Sequence, residues 1–310
     1  MKNKGAERIL KKLEGIFIAT ITPFTKELEI DFDLIETHIN FLREKNIQGI
    51  VVCGTNGESP SLTVAEKKQV IKKSVNTAKE LPVLAGAYSC SLKESIEIIQ
   101  FAEDCGAAAG VITTPFFFRR PPPVGIYDFF SKILEQTKDF PIIICNVPIY
   151  SLIEIEPKII KQLKNKFPNV LGIKDLSGKP ESITNYLRAF PELSILVGSD
   201  RLVFHGLNIG CAGIVSAIGN VLPDHVVDIY HKFQEGHRDQ AWIAQESLTG
   251  IRALFKRFPS RAALKFILSK ISGQESYVRP PLQDLTADEK ETLLQILTEH
   301  GLFLPSAAPQ

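Results

Sequence analysis

Val170-Leu171-Gly172-Ile173-Lys174 is the stretch whose reading decides the fold. Four apolar or small residues run into a lysine, which is how a buried strand reads when it ends at a site. Period-two alternation sends Leu171 and Ile173 to one face, suited to a helical shell, and turns Val170, Gly172 and Lys174 toward an interior axis. Similar runs recur along the chain at 15–21, 49–53, 82–86, 109–113, 142–146, 194–198 and 213–217. Between them lie 33–44, 65–78, 92–104 and 157–165, where apolar residues repeat at helical spacing. Alternation of this kind implies parallel strands joined by helical crossovers. Eight such units with no break in composition predict a closed α/β fold, a (β/α)8 TIM barrel, in preference to an open doubly wound sheet.

Beyond the eighth unit the pattern is wholly helical, over 222–234, 240–257, 261–270 and 287–297, the last opened by the capping-box sequence Thr286-Ala287-Asp288-Glu289. The expected organisation is a basic N-terminal segment (1–14), a barrel core (15–221), the last barrel helix with a C-terminal helical extension (222–300), and a tail (301–310) that frays over Ser306–Gln310.

The bulk numbers narrow the function classes. A 310-residue chain with 44% hydrophobic and 23% charged residues is globular, and its net charge of +1 provides no field for nucleic acid or an anionic membrane. No apolar run reaches the roughly 18 residues of a bilayer span, and the charged N-terminus does not read as a secretory signal. Five cysteines without a Cys-x-x-Cys pair point to reduced thiols and a cytoplasmic setting. Six histidines without ligand spacing argue against a metal.

In such a barrel the chemistry sits at the carboxyl ends of the strands. Lys174 is there. A free lysine, with a pKa of about 10.4, is neutral in only about one molecule in a few thousand near pH 7. Burial depresses that value and supplies the neutral amine that attacks a carbonyl. The alternative is a lysine that snorkels to solvent or pairs with Asp175 or Asp200. Gly172, one inward step earlier, is expected to leave room for a substrate. The turn Gly54-Thr55-Asn56-Gly57-Glu58 after strand two has two glycines and a hydroxyl that suit a carboxylate nest, or else it is an ordinary βα turn. The glycines of 210–213 and 219 near strand eight read as tight turns or as an anion cradle; the latter would make the chain a binder of a phosphorylated metabolite.

Gly54-Thr-Asn-Gly-Glu-Ser59, Thr114-Pro115, Asn146-Val-Pro148, Gly172-Ile-Lys-Asp175, Gly198-Ser-Asp200, Gly213-Ile-Val-Ser216, Leu264-Lys265 and Arg279-Pro-Pro-Leu282 follow one another in an order that resembles the dihydrodipicolinate synthase/N-acetylneuraminate lyase family from about Gly15 to Leu297. The resemblance implies a homo-oligomeric barrel, dimer or tetramer, that forms a Schiff base with pyruvate or a related 2-oxo acid and needs no metal or organic cofactor. It makes Lys174 the Schiff-base residue and places Thr55, Asn56 and Gly54 at the carboxylate pocket, with Val215, Phe117 and Tyr150 as further substrate-binding candidates.

Several positions depart from that pattern. Cys145 stands where the family has its proton-relaying tyrosine, Phe116-Phe117 where a second tyrosine is common, and Tyr150 where the dihydrodipicolinate synthases carry a carboxylate-binding arginine. Cys145 either fills space or shuttles protons through its thiol. These departures disfavour lysine biosynthesis, and the turn Thr55-Asn56-Gly57-Glu58 with Gly198-Ser199-Asp200 more closely resembles the 2-keto-3-deoxy sugar-acid and 4-hydroxy-2-oxoglutarate aldolase branches. Arg119 and Arg120 could meet an acidic substrate at the mouth, or be solvated loop charges. The competing reading is a catalytically impaired relative that binds a 2-oxo acid as a sensor or regulatory protein. A tyrosine hydroxyl from Tyr150 or Tyr88 beside Lys174 favours catalysis; a surround of Phe117 and Cys145 favours binding.

Overall fold

A computed structural model of the chain describes residues 13–137 and 139–302. Most of the basic N-terminal segment, and the Ser306–Gln310 tail, lie outside the described residues.

Eight parallel strands close on themselves in sequence order. They are β1 (Gly15–Ala19), β2 (Gly49–Val52), β3 (Val83–Ala87), β4 (Ala109–Thr113), β5 (Ile142–Asn146), β6 (Val170–Asp175), β7 (Ser194–Val197) and β8 (Gly213–Ser216). The crossover helices are α1 (Phe32–Arg43), α2 (Val64–Ala78), α3 (Leu92–Asp104), α4 (Pro123–Glu135), α5 (Pro157–Lys166), α6 (Pro180–Ala189), α7 (Val203–Ile209) and α8 (Pro223–Gln234). Three more follow: α9 (Arg238–Phe255), α10 (Ser260–Ser272) and α11 (Ala287–Glu299). The expected capping box is present at α11, where Glu289 N donates to Thr286 Oγ1 at 3.2 Å and Thr286 N to Glu289 Oε2 at 2.8 Å.

The strands are buried on both faces, so the core has two layers. An inner plug along the axis includes Phe17, Val51, Leu84, Val111, Ile143 and Leu196. The outer layer, between sheet and helices, includes Ile16, Ile50, Ile112, Ile144, Ile173 and Ile214. At the seam Gly15 pairs with Gly213. A Cβ on Gly213 would lie 2.1 Å from the Gly15 carbonyl oxygen, so only glycine lets the barrel close there.

β1 stops two residues short of the expected end because the backbone turns away to a side chain: Ile21 N donates to Asn220 Oδ1 at 3.0 Å. β6 departs from strict alternation. Its register against β5 jumps from Ile142–Val170 to Ile143–Gly172, a bulge that leaves Leu171 as the extra residue. Val170 therefore packs in the outer layer and Leu171 against the inner plug, the reverse of the simple alternation. Beyond the bulge Ile173 points outward and Lys174 inward, as expected. Gly172 has a different role from the one anticipated: a Cβ there would sit 2.4 Å from the Ser194 carbonyl oxygen, so it permits close strand contact and does not make room for a ligand.

Candidate active site

Lys174 is flanked across the sheet by Cys145 on β5 and Leu196 on β7. It is one of three buried lysines among the described residues, with Lys67 and Lys265, each no more than 3% exposed. Lys67 Nζ donates to the Tyr88 carbonyl at 3.0 Å. Lys265 Nζ pairs with Glu58 at 2.5 Å and donates to the Tyr277 carbonyl at 2.6 Å. No hydrogen bond or ion pair reaches the Lys174 amine from any described residue. Asp175 is occupied elsewhere, accepting from Asn146 Nδ2, Ser177 Oγ and Ser182 Oγ at 2.6, 2.6 and 3.1 Å. Asp200 accepts from Ser216 Oγ at 2.6 Å and the Ile218 amide at 3.2 Å, and faces Arg252 at 3.4 Å. The snorkelling and ion-paired readings of Lys174 both fall away. Burial holds its amine below the ordinary lysine value, with nearby Cys145 pulling weakly the other way.

The amine lies on a cavity of about 340 Å³ at the carboxyl end of the strands. Thr55, Asn56, Tyr150 and Val215 also line it, so five of the eight residues singled out from sequence meet at one site. The other three do not line it. Cys145 is fully buried beside the lysine, and Gly54 sits just behind the turn. Phe117 lies outside, 78% exposed, because the loop after β4 carries it and Phe118 into solvent before the proline stretch. Arg119 and Arg120 are exposed on the same loop and do not line the cavity, which favours the solvated reading.

The turn after β2 is held from both sides. Thr22 Oγ1 donates to Gly57 O at 2.8 Å and Asn56 Nδ2 to Ala19 O at 3.3 Å. From the C-terminal extension, Arg261 Nε donates to Thr55 O at 2.8 Å and Lys265 binds Glu58, which also accepts from the Arg279 amide at 3.1 Å. Gly57 packs against Thr20 and Thr22 of its own chain, so its lack of a side chain serves the fold and not ligand approach. The glycines near strand eight resolve as turns: Gly210 caps α7 at φ 100°, and the Gly219 amide donates to Ser216 Oγ at 3.0 Å.

The outer half of the cavity was not foreseen. Ser177 and Ser199 come from the loops after β6 and β7, and Arg252, Lys256 and Ser260 from the end of α9 and the start of α10. Arg252 Nη1 is buried without a partner among the described residues. Arg252 and Lys256 are four residues apart, one helical face, and that spacing in the basic run 252–261 was the available signal.

A (β/α)8 barrel with a buried, unpaired lysine ending its sixth strand, beside a hydroxyl- and amide-bearing turn, is built as a carbonyl-condensing lyase is built. Comparison with known proteins agrees: the dihydrodipicolinate synthetase family model matches residues 12–300, and the chain belongs to that family of lyases and synthases. It is 32% identical over 295 residues to the 4-hydroxy-tetrahydrodipicolinate synthase of Methanocaldococcus jannaschii, covering 94% of this chain and 99% of that one. A crystal structure of a dihydrodipicolinate synthase superposes with a TM-score of 0.87 at 31% identity, covering 94% of this chain and all (100%) of the other. The Acinetobacter baumannii enzyme, solved with pyruvate bound, gives 0.87 at 25% identity over 94% of this chain and 100% of its own. Among the described residues no helix is long and apolar enough to cross a membrane, and no cluster of three or more His, Cys, Asp or Glu could hold a metal.

Proposed function

We propose that the protein is a class I aldolase or lyase in which Lys174 condenses with the ketone of pyruvate or a related 2-oxo acid while the Thr55–Asn56 turn holds the carboxylate. The observation that carries this reading is the buried Lys174 amine, free of any partner among the described residues, on the same cavity as that turn. Attack needs the neutral amine, and desolvation favours it. The pyruvate in the Acinetobacter baumannii relative supports the choice of oxo acid.

The outer half of the cavity speaks to the second substrate. Arg201, Arg252 and Lys256 with the hydroxyls of Ser177, Ser199 and Ser260 suit an aldehyde that is hydroxylated and carries an acidic group. Tyr150 offers a phenol at the mouth, with the Arg261 guanidinium 5.7 Å from its ring centre. This supports a sugar-acid or hydroxy-oxo-acid aldolase over the synthase activity named for the methanogen relative. The exposed Phe117, Phe118 and Val124 after β4 and Ile149, Tyr150 and Leu152 after β5 rise from neighbouring strands and support self-association into a dimer or tetramer through this face. Five free cysteines suit a cytoplasmic setting.

The test is reductive trapping followed by a substrate panel. Pyruvate with borohydride should add one reduced pyruvyl imine to the wild type and none to Lys174→Ala; a wild type without adduct refutes the reading. Pyruvate release from 2-keto-3-deoxy sugar acids or 4-hydroxy-2-oxoglutarate is the expected turnover, and formation of 4-hydroxy-tetrahydrodipicolinate in its place overturns the finer assignment. The binding-only reading, favoured by Cys145 at the tyrosine position, predicts thermal stabilisation by the oxo acid and no turnover at all.

A further inference from the structure

Cys145 leaves the family's tyrosine position empty of a phenol, yet a phenol is present inside the barrel. Tyr88 follows β3, is 3% exposed, and packs in the inner plug with Cys145, Val147 and Val215. Its hydroxyl donates to Cys145 Sγ at 3.1 Å. Cys145 is in turn the cross-strand neighbour of Lys174, and residues paired in register project to the same face about 5 Å apart. Lys174, Cys145 and Tyr88 thus form a line of three proton-bearing groups within an otherwise apolar plug. The tyrosine is fixed from behind: Lys67 of α2, buried and without any role in the cavity, donates to the Tyr88 carbonyl at 3.0 Å. A buried amine spent on one backbone carbonyl is costly unless that residue must be held.

We propose that Tyr88 and Cys145 together replace the absent β5 tyrosine as the proton route beside Lys174, the phenol just after β3 acting through the thiol on β5. The proposal rests on Schiff-base formation by Lys174. In that step the amine nitrogen bonds to the ketone carbon, the C–O π bond breaks, and the carbinolamine then loses its oxygen as water. Both hydrogens of the amine end on that water. The route accepts each from nitrogen and delivers each to oxygen, the S–H proton moving out as the phenol proton moves onto sulfur, and then refills in reverse. It therefore ends in the state in which it began. Burial raises both the thiol and the phenol above their ordinary values, so both hold their protons at neutral pH. The nearby Lys174 works against this at the thiol and eases proton release toward the site.

The experiment separates the rate of imine formation from its extent. Pyruvate is mixed with the protein, borohydride is added after short and long intervals, and the adduct is counted by intact mass. Tyr88→Phe should reach the wild-type adduct at long times but form it about 10²-fold more slowly, the low end of what proton relays contribute. Cys145→Ala should behave alike, whereas Cys145→Ser, which keeps a proton-bearing atom, should retain most of the rate. Moving the phenol in the double variant Cys145→Tyr/Tyr88→Ala should restore the rate that Tyr88→Ala loses, which a purely packing role does not predict. An unchanged rate in Tyr88→Phe, or equal rates in the serine and alanine variants of Cys145, overturns the proposal while leaving Lys174 as the imine-forming residue. A wild type that forms no adduct at any time overturns both.

Discussion

Replacing Lys265 by methionine should cost about 3–5 kcal/mol of stability near pH 7. Lys265 and Glu58 are both fully buried, and the ammonium lies 2.5 Å from the carboxylate and 4.1 Å from the centre of the Phe24 ring. Methionine keeps most of the stem's volume and removes the charge together with its hydrogen bond to the Tyr277 carbonyl. Breaking a buried pair from one side costs about 3–5 kcal/mol because the other charge stays behind. Burial holds the wild-type ammonium at about 8 against the pull of Glu58, so the pair is charged near neutral pH. Denaturant unfolding of wild type, K265M, E58Q and E58Q/K265M near pH 7 gives the cycle. The double variant, with no charge left unpaired, should be more stable than K265M near pH 7. A K265M deficit under about 1 kcal/mol would refute the reasoning. Because Glu58 ends the turn that carries Thr55 and Asn56, K265M should also weaken pyruvate binding, seen as a higher pyruvate concentration for half-maximal trapping.

Trapping of pyruvate should speed up with rising pH and level off below the ordinary lysine value of about 10.4, since desolvation lowers the Lys174 amine; an inflection at or above that value contradicts the burial argument. Gly172→Ala should destabilise by about 1–3 kcal/mol in chemical unfolding, because its Cβ would press the Ser194 carbonyl at 2.4 Å; a neutral substitution there would mean that the β6–β7 contact is looser than the geometry shows. Asn220→Ala removes bonds from Ile21 N and to Ala19 O and Ala217 O, at 3.0, 2.8 and 2.7 Å, and should cost about 2–4 kcal/mol by the same measurement. A loss well under that range would show that the loop after β1 is anchored elsewhere.

What the sequence determined by itself is what depends on neighbours along the chain. Periodicity located all eight strands and the helices α1, α2, α3, α5 and α8, with β4, β5 and α3 placed to the residue. Barrel geometry then told that Lys174 and the Thr55–Asn56 turn lie at the site end of their strands, while Val215 and Tyr150 were legible only through the family resemblance. The tertiary structure decided what depends on residues far apart. The β6 bulge is a register between two strands, and no alternation within 170–175 reveals it. Phe117 looked like a site residue by position, but the path of its loop put it in solvent. Lys174, Lys67 and Lys265 are the same side chain in sequence, and only the fold gives partners to two of them and none among the described residues to the third. The outer cavity is assembled where α9 and α10 return across the barrel mouth, and the clamp on the carboxylate turn spans the chain from Glu58 to Lys265. The Tyr88–Cys145 contact joins residues 57 positions apart, one just after β3 and one on β5, strands that are not adjacent in the sheet. Strand order says only that such side chains share an interior; which of them touch is fixed by how the close-packed plug fills its volume.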